Sequence, residues 1–430
     1  MKIKSSSKST PPGTTATAEI HCSADILAKK KIFLVVTGGI SAYKAITLAR
    51  DFVKAGAIVR VSLTEAGSRF ITPLTFEALT GQSVVSSMWS RSQKEIEHIS
   101  YATWADLIVV APATADFIAK MGAGIADEFA LSTILASTAP VLVAPAMNEN
   151  MYLNRATQMN IRMLKERGAE VMSPTSGLLA CGESGLGRLP EAPQILNWAK
   201  RIFTPQLFRG KKVVVTGGGT QESWDTIRYL GNRSSGRMGI SLAEVLWYMG
   251  AEVILILGPG ALSPGIEASN FTTIKIRTTL DLLEEIQKNL ENTHYLFMAA
   301  APVDFKPKEQ KDYKVKKDGN SAITLELVAN PDILKTLKGK KPKVIPLVRV
   351  GFAAESADLL ENAILKLEDK GLDYIVGNMV TPIDNAFGAE STKIKLLKKG
   401  DKKWRAEFKG SKFGVSYQLL IALAKLGKKR

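Results

Sequence analysis

Three side chains in the first half of the chain have the types needed for proton and carboxylate chemistry. His98, in KEIEHISYATWADLIVV, is one of three histidines and the only one within the first apolar core. That makes it the candidate general base whose ordinary pKa lies near neutrality, with a helix-surface or capping role as the alternative. Asn148 follows a strand ending in PAM; its amide suits fixing a carboxylate or amide, and a buried structural asparagine is the competing reading. Cys181 lies in SGLLACGESGLGRLP (176–190), whose four glycines suit a flexible flap. A thiol there would donate a proton or, with a base beside it, attack as a nucleophile.

Glycine turns form a second set. GGISAYK and GGGTQES each follow an apolar strand, and paired glycines let the chain turn sharply and offer amides to an anion at a helix start. Neither is a GxGxxG or a Walker loop. In the second half, YLGNRSSGRMG (229–239) reads as a hydrogen-bonding loop that opens a helix, with Arg233 and Arg237 adding positive charge. KVKK (314–317) is either a solvated charge run or a loop able to close over polyphosphate, and Phe352 at a strand end is placed to stack on a base.

The elements that must position these residues alternate. KKIFLVV, VRVSLTEAG, ADLIVVAPAT and APVLVAPAM are strands with little polar alternation, joined by helices, which predicts a parallel sheet covered on both faces. The pattern breaks near RIFTPQLFRG and restarts at KKVVVTGGGT, continuing through AEVILILGPG, HYLFMAAAPVDF and GLDYIVGNMV, then a hairpin after 390 and a closing helix. The fold class is therefore α/β, with two parallel-sheet Rossmann-like domains. Residues 1–29 are expected to be a disordered tail, 30–200 the first domain, 201–210 a linker and 211–430 the second domain. The lysine-rich region between 306 and 343 reads as a mobile β-excursion. In such sheets ligands sit beyond the carboxyl ends of the strands, where Thr64, Ala111 to Thr114, Asn148 and Asp304 would be delivered.

Composition narrows the classes. The chain has 430 residues, 45% apolar and 23% charged, with a formal net charge of +16. Residues 201–430 carry 37 of the 57 basic side chains and 25 of the 41 acidic ones. That excess would suit nucleotides or phosphorylated small molecules, but no basic run is interleaved with stacking aromatics, so nucleic acid is not expected as a partner. Two cysteines, Cys22 and Cys181, exclude a disulfide framework and fit a reducing compartment. No run of about 18 charge-free apolar residues would span a bilayer, and the amino terminus lacks a secretory core, so the expected location is the cytoplasm.

Taken together, TGGISAYK, TEAGSRFITPLTFEALTG, His98, APATAD, PAMNENMY and ACGESGLGR resemble the flavin-containing cysteine decarboxylases. GGTQESWDTIRYLGNRSSGRMG, the AAxxD ending at Asp304, KVKK, NPDIL and GFAAES resemble a ligase. In this order they resemble the bifunctional coenzyme A biosynthesis family, which joins phosphopantothenoylcysteine decarboxylase to phosphopantothenate–cysteine ligase. The resemblance implies that FMN is held by Gly38, Gly39, Ser41, Thr64, Ala111, Pro112, Ala113 and Thr114. It makes His98 the base, has Asn148 orient the departing carboxylate and has Cys181 protonate the enethiolate to give 4'-phosphopantetheine.

In the ligase half it implies that a nucleoside triphosphate, CTP or ATP, activates 4'-phosphopantothenate as an acyl nucleotidylate, which cysteine then attacks to give phosphopantothenoylcysteine. Asn232 would hold the acyl intermediate and Lys314 would stabilise developing charge. Substrate and nucleotide would meet Gly217, Gly218, Asp225, Ala300, Asp304, Lys314, Lys316, Lys317, Phe352, Lys366, Lys370 and Asn378, with Asp304 also the candidate for Mg2+. The family builds homo-oligomers from decarboxylase trimers and ligase dimers, up to a dodecamer, so His98 would serve a neighbouring chain's flavin. Three segments depart from the family's wording. AAPVD (300–304) loses an amide donor at Pro302, GNM keeps Asn378 but lacks an acid, and TQESWD keeps Asp225. The alternative implied function is a flavin decarboxylase or flavoprotein binding module whose second domain has altered or lost ligase activity.

Overall fold

The computed structural model describes residues 23–88, 97–178, 182, 184–316, 323–339, 347–379 and 391–427. A short 3-10 turn, Ser23–Ile26, precedes the first sheet. The first half then runs β1 (Lys31–Val36), α1 (Ala42–Lys54), β2 (Ile58–Leu63), α2 (Glu65–Ser68), α3 (Pro73–Thr80), α4 (Glu97–Trp104), β3 (Leu107–Ala113), α5 (Ala115–Ala123), α6 (Phe129–Ala136) and β4 (Val141–Pro145). It continues through α7 (Glu149–Leu153), α8 (Arg155–Glu166), β5 (Glu170–Val171), the hairpin β6 (Thr175–Leu178) and β7 (Ser184–Arg188), and α9 (Ala192–Phe203).

The sheet order is β2-β1-β3-β4-β5, all parallel. Both faces of β1 are sealed, because side chains alternate across a strand. Ile32, Leu34 and Val36 pack in the cluster that includes α1 and α9, while Phe33 and Val35 pack with α5, α6 and α8. That explains why the strand reads as a continuous apolar run.

The tail expected through residue 29 ends earlier. Ile26 and Leu27 are buried and the Lys29 amide donates to the Gly56 carbonyl at 2.8 Å, so burial of two aliphatic side chains anchors this segment.

The second half comprises β8 (Lys212–Gly217), β9 (Gln221–Ser223), β10 (Tyr229–Gly231), α10 (Arg237–Tyr248), β11 (Glu252–Leu257), β12 (Phe271–Lys275), α11 (Thr279–Asn289), β13 (Tyr295–Met298), β14 (Phe305–Pro307), β15 (Leu327–Ala329) and α12 (Ile333–Leu337). It closes with β16 (Val348–Glu355), α13 (Leu359–Asp369), β17 (Tyr374–Met379), β18 (Ser391–Lys398), β19 (Ala406–Ser411) and α14 (Lys412–Gly427). The eight-stranded sheet is ordered β12-β11-β8-β13-β16-β17-β18-β19, parallel as far as β17 and antiparallel for the last two strands. Helices α10 and α14 cover one face around Val213 and Val215, and α11 and α12 cover the other around Val214 and Ile254.

Within the lysine-rich region, β14 and β15 pair antiparallel as expected of an excursion. The helix α12 was not expected there; it forms because Ile333 and Leu337, one turn apart, bury one face against the sheet. Helix α9 bridges the two sheets: Trp198 meets Trp247 edge-on at 5.4 Å, and the Tyr248 hydroxyl donates to Asn197 Oδ1 at 2.8 Å. Among the described residues no helix is long and apolar enough to cross a membrane.

Candidate functional sites at two sets of strand ends

In the first sheet the chain leaves β1 toward β2, then crosses back to β3 on the other side. Strand order therefore reverses between β1 and β3, and in sheets of this kind ligands lie beyond the carboxyl ends of the strands at that reversal. Thr37, which sequence reasoning missed, ties those ends together: its Oγ1 donates to the Pro112 carbonyl at 2.7 Å and accepts from the Thr114 amide at 3.1 Å. The turn that follows needs glycine, because a Cβ on Gly38 would lie 2.3 Å from the Ala66 Cβ. Gly39 is open; a Cβ there would meet only Thr114 Cγ2, at 3.7 Å. Ser41 is the N-cap of α1, yet its side chain makes no capping bond, so its hydroxyl is not spent on the helix.

Thr64 and Thr114 do cap, accepting from the Gly67 amide at 3.0 Å and the Phe117 amide at 3.3 Å. Ala111 and Ala113 are fully buried, so the segment 111–114 offers a ligand its backbone and Thr114, not alanine side chains.

His98 stands in the first turn of α4, half-buried, with no hydrogen bond or ion pair to another described residue. Because α4 leads into the amino end of β3, its own start lies toward the carboxyl-end rim of the sheet. Asn148 caps α7, its Oδ1 accepting from the Asn150 amide at 2.9 Å. Cys181 lies outside the described residues. The hairpin that carries it, β6–β7, is nevertheless docked beside Asn148: the Met147 amide donates to the Gly187 carbonyl at 2.9 Å, and the Leu186 amide donates to Glu149 Oε1 at 2.8 Å. A Cβ on Gly187 would come within 2.1 Å of the Met147 carbonyl oxygen, so glycine permits this approach. Glu149 was not foreseen; a carboxylate reaching across 37 positions leaves no periodic trace. At the hairpin's base, Glu191 accepts from Lys44 Nζ of α1 at 2.6 Å and pairs with Arg188 at 3.6 Å.

The second site is a cavity of about 520 Å³ beyond the strand ends of the larger sheet. It brings together Asn232, Ala300 and Asp304 from the segments after β10 and β13, Phe352 and Asn378 from within β16 and β17, and Lys370 from the end of α13. Its wall is the segment 300–303, whose amides are spent inward. Ala300 donates to Thr216 Oγ1 at 3.1 Å, Ala301 to the Gly218 carbonyl at 2.9 Å and Val303 to Thr220 Oγ1 at 2.9 Å. Pro302 has no amide, so the loss expected there leaves this wall with carbonyls only. Asn232 Nδ2 donates to the Pro302 carbonyl at 2.9 Å, which leaves its Oδ1 as an acceptor.

Other expected residues are not on this cavity. Gly217 and Gly218 shape the turn beneath it. Lys366 is paired with Glu355 at 2.5 Å, and Lys370, though lining the cavity, is 3.5 Å from Asp332. Lys317 lies outside the described residues, and Lys314 and Lys316 are exposed.

Asp225 is buried and wholly engaged within the protein. It accepts from Arg228 Nη2 at 2.5 Å, from the amides of Ile227 and Arg228 at 2.8 and 2.7 Å, and from the Val315 amide at 3.2 Å. Arg228 in turn donates to the Val315 carbonyl at 2.8 Å. The Arg228 guanidinium and these amides hold the Asp225 carboxyl well below the usual carboxylate range. The pair thus grips the backbone between Lys314 and Lys316. The contacts of Asp225 in this structure are with the protein itself, at Ile227 and Arg228 and in the segment that carries Lys314 and Lys316. Among the described residues no three His, Cys, Asp or Glu side chains converge as metal ligands, so Asp304 stands as a single carboxylate.

Residues 22–203 match the family described as Flavoprotein, and residues 208–426 match the DNA/pantothenate metabolism flavoprotein C-terminal domain. The Coenzyme A biosynthesis bifunctional protein CoaBC of Bacillus subtilis (strain 168) is 40% identical over 407 residues, 94% of this chain and 98% of its own length. The protein of the same name from Vibrio cholerae serotype O1 (strain ATCC 39315 / El Tor Inaba N16961) is 39% identical over 377 residues, 86% of this chain and 92% of its own. A crystal structure of the C-terminal domain of a CoaBC protein is 29% identical, with a TM-score of 0.42, covering 52% of this chain and 100% of that one.

Proposed function

The chain belongs to the CoaBC family of bifunctional coenzyme A biosynthesis proteins, and from that premise we propose how its residues divide the two reactions. The second half joins 4'-phosphopantothenate to cysteine, and the first half decarboxylates the phosphopantothenoylcysteine so formed to 4'-phosphopantetheine.

In the ligase half, the substrate carboxylate attacks the α-phosphorus of CTP, pyrophosphate leaves, and the cysteine amine then displaces CMP from the acyl nucleotidylate. Asn232 Oδ1 accepts from the acyl portion while its Nδ2 stays on the Pro302 carbonyl. Lys314, steered by the Asp225–Arg228 grip on Val315, neutralises charge developing on the phosphates. Phe352 supplies the face for the base. Asp304, a lone carboxylate, suits a magnesium ion held chiefly by the ligand's own phosphates. The observation that carries this reading is the single cavity shared by Asn232, Asp304, Phe352, Lys370 and Asn378.

For the decarboxylase half, the β1/β3 reversal fits FMN: its turn is open at Gly39, and the Ser41 hydroxyl at the start of α1 is unspent on capping. Bound there, FMN would supply reversible two-electron chemistry toward the substrate's cysteine moiety. His98 takes the proton released in the oxidation, Asn148 orients the carboxylate, and Cys181 on the hairpin returns a proton to the enethiolate after carbon dioxide leaves. Ile40, Tyr43, Phe70 and Leu74 are large, apolar and exposed around this reversal, which supports a homo-oligomer in which a neighbouring chain covers it. Trimers of this half and dimers of the ligase half would then build the full assembly.

The test is product analysis of the full chain supplied with phosphopantothenate, cysteine, magnesium and either CTP or ATP. His98→Asn should abolish carbon dioxide release and leave pyrophosphate formation intact. Lys314→Gln should abolish pyrophosphate formation, and direct supply of phosphopantothenoylcysteine should restore its decarboxylation. Failure of that rescue in folded, flavin-loaded protein would overturn the division of labour.

A further inference from the structure

Asp304 is exposed at the rim of the ligase cavity, between Val303 and Phe305, the first residue of β14. Its reach is therefore set by the backbone on either side of it. Asn330, from the NPDIL segment, holds both flanking carbonyls: its backbone amide donates to the Asp304 carbonyl at 2.8 Å, and its Nδ2 donates to the Val303 carbonyl at 2.9 Å. The other Nδ2 proton goes to Glu222 Oε1 at 3.1 Å. Facing two acceptors, the side-chain amide presents its NH2 end, and its orientation is fixed. Phe305 pairs with Ala329, so the excursion bearing Lys314 leaves and returns beside this clamp.

Glu222, in β9, is 6% exposed, and its Oε1 also accepts from the amide of Thr279, the first residue of α11, at 2.9 Å. A helix start favours a carboxyl group beside it, which anchors Glu222. Thr279 and Thr220 close the network: their hydroxyls lie 2.9 Å apart, Thr279 Oγ1 donates to the Val303 carbonyl at 3.3 Å, and Thr220 Oγ1 accepts from the Val303 amide at 2.9 Å. Capping α11 does not by itself require Glu222, because Thr278 and Asp281 already close that start with a reciprocal capping box. What Glu222 adds is a tie from a rigid helix to Asn330, in a buried polar network where each bond strengthens the next.

We propose that Glu222 and Asn330 are positioning residues for the ligase reaction: anchored at the start of α11, they fix Asp304 toward the nucleotide by holding the carbonyls on either side of it. The inference rests on the ligase reading and deepens it by adding two residues that act only through Asp304. Without the Asn330 side chain, the Val303 carbonyl loses a donor, Glu222 loses its link to the wall, and Asp304 is left on a segment free to shift.

The experiment uses full chains carrying Asn330→Ala, Glu222→Ala, Asp304→Ala, and Asn330→Ala together with Asp304→Ala. Pyrophosphate release at varied CTP and calorimetric CTP binding are measured. Asn330→Ala and Glu222→Ala should each lower kcat/KM for CTP about tenfold to a hundredfold, with decarboxylation of supplied phosphopantothenoylcysteine within about twofold of wild type. In Asp304→Ala nothing remains to be positioned. Adding Asn330→Ala there should lower the residual turnover, or CTP affinity where turnover is too slow to measure, by less than about threefold. A merely structural role would instead lower both backgrounds by the same factor. Full ligase activity in either single alanine variant of the pair, or an undiminished effect of Asn330→Ala in the Asp304→Ala background, would overturn the proposal. Should Asn330→Ala not fold, Asn330→Ser, which keeps one donor, is judged by the same criteria. If wild type neither binds CTP nor releases pyrophosphate with any nucleotide, it is the ligase reading that fails. Amide exchange at Val303 and Asn330 then still decides the clamp: faster exchange in Glu222→Ala sustains it, and unchanged exchange overturns it.

Discussion

Replacing Glu149 with alanine should slow decarboxylation without touching the ligase. The hairpin β6–β7 is joined to the segment carrying Asn148 by two hydrogen bonds, Met147 N–H to Gly187 O at 2.9 Å and Leu186 N–H to Glu149 Oε1 at 2.8 Å. The second involves a carboxylate, and such bonds contribute about 1.5–3 kcal/mol; since Glu149 is only half-buried, the lower figure applies. About 1.5 kcal/mol lowers the ratio of docked to undocked hairpin roughly tenfold. Because the hairpin carries Cys181, the step that suffers is proton return, so Glu149→Ala should lose about threefold to tenfold in kcat and release some decarboxylated product that is still oxidised. Glu149→Gln keeps an acceptor oxygen and should fall between the two. The assay is mass analysis of products from supplied phosphopantothenoylcysteine, with pyrophosphate release as the internal control and amide exchange at Leu186 reporting the lost bond. Faster exchange at Leu186 with wild-type turnover and no oxidised product would refute the reasoning, because the bond would then be irrelevant to the proton donor.

Thr37→Val leaves the part-buried Thr114 amide without this acceptor, which should cost about 1 kcal/mol and loosen flavin retention, read by flavin absorbance per chain after dialysis. Asp225→Asn should release the Val315 backbone, reduce pyrophosphate formation more than tenfold while sparing decarboxylation, and speed tryptic cleavage at Lys314 and Lys316. Asp225 is held below its ordinary pKa, so its contribution is present above the unfolded value and is lost only as pH falls through the depressed folded one. The acid limb of ligase activity near pH 5 should therefore not come from it. Glu128 is opposite in sign: burial raises its carboxyl to about 7, so between its ordinary value and about 7 the native state binds more protons than the unfolded one, and stability falls as pH rises. Glu128→Gln should remove that decline, gaining about 1 kcal/mol at pH 8 and nothing at pH 4 after allowing for solvent screening, as followed by Tm.

The strand–glycine–helix alternation, the break near residue 205 and the motif order could be read along the chain because each is local. Apolar runs, turn glycines and capping residues act within a few positions of one another, so KKIFLVVTGG and KKVVVTGGG announce strands and turns without help from elsewhere. Whether a polar side chain meets a ligand or another part of the protein is not local. Asp225 reads as a ligand contact, and tertiary packing spends it on Arg228 and Val315, 90 positions from the latter. Thr37 and Glu149 lie inside the quoted motifs TGGISAYK and PAMNENMY, but their partners do not show there; the fold supplies them by bringing Pro112 to Thr37 and Leu186 to Glu149. A hydrogen bond or ion pair is decided by distances of about 3 Å between side chains that sequence spacing leaves free to be anywhere, and only the closed sheet with its packed helices removes that freedom.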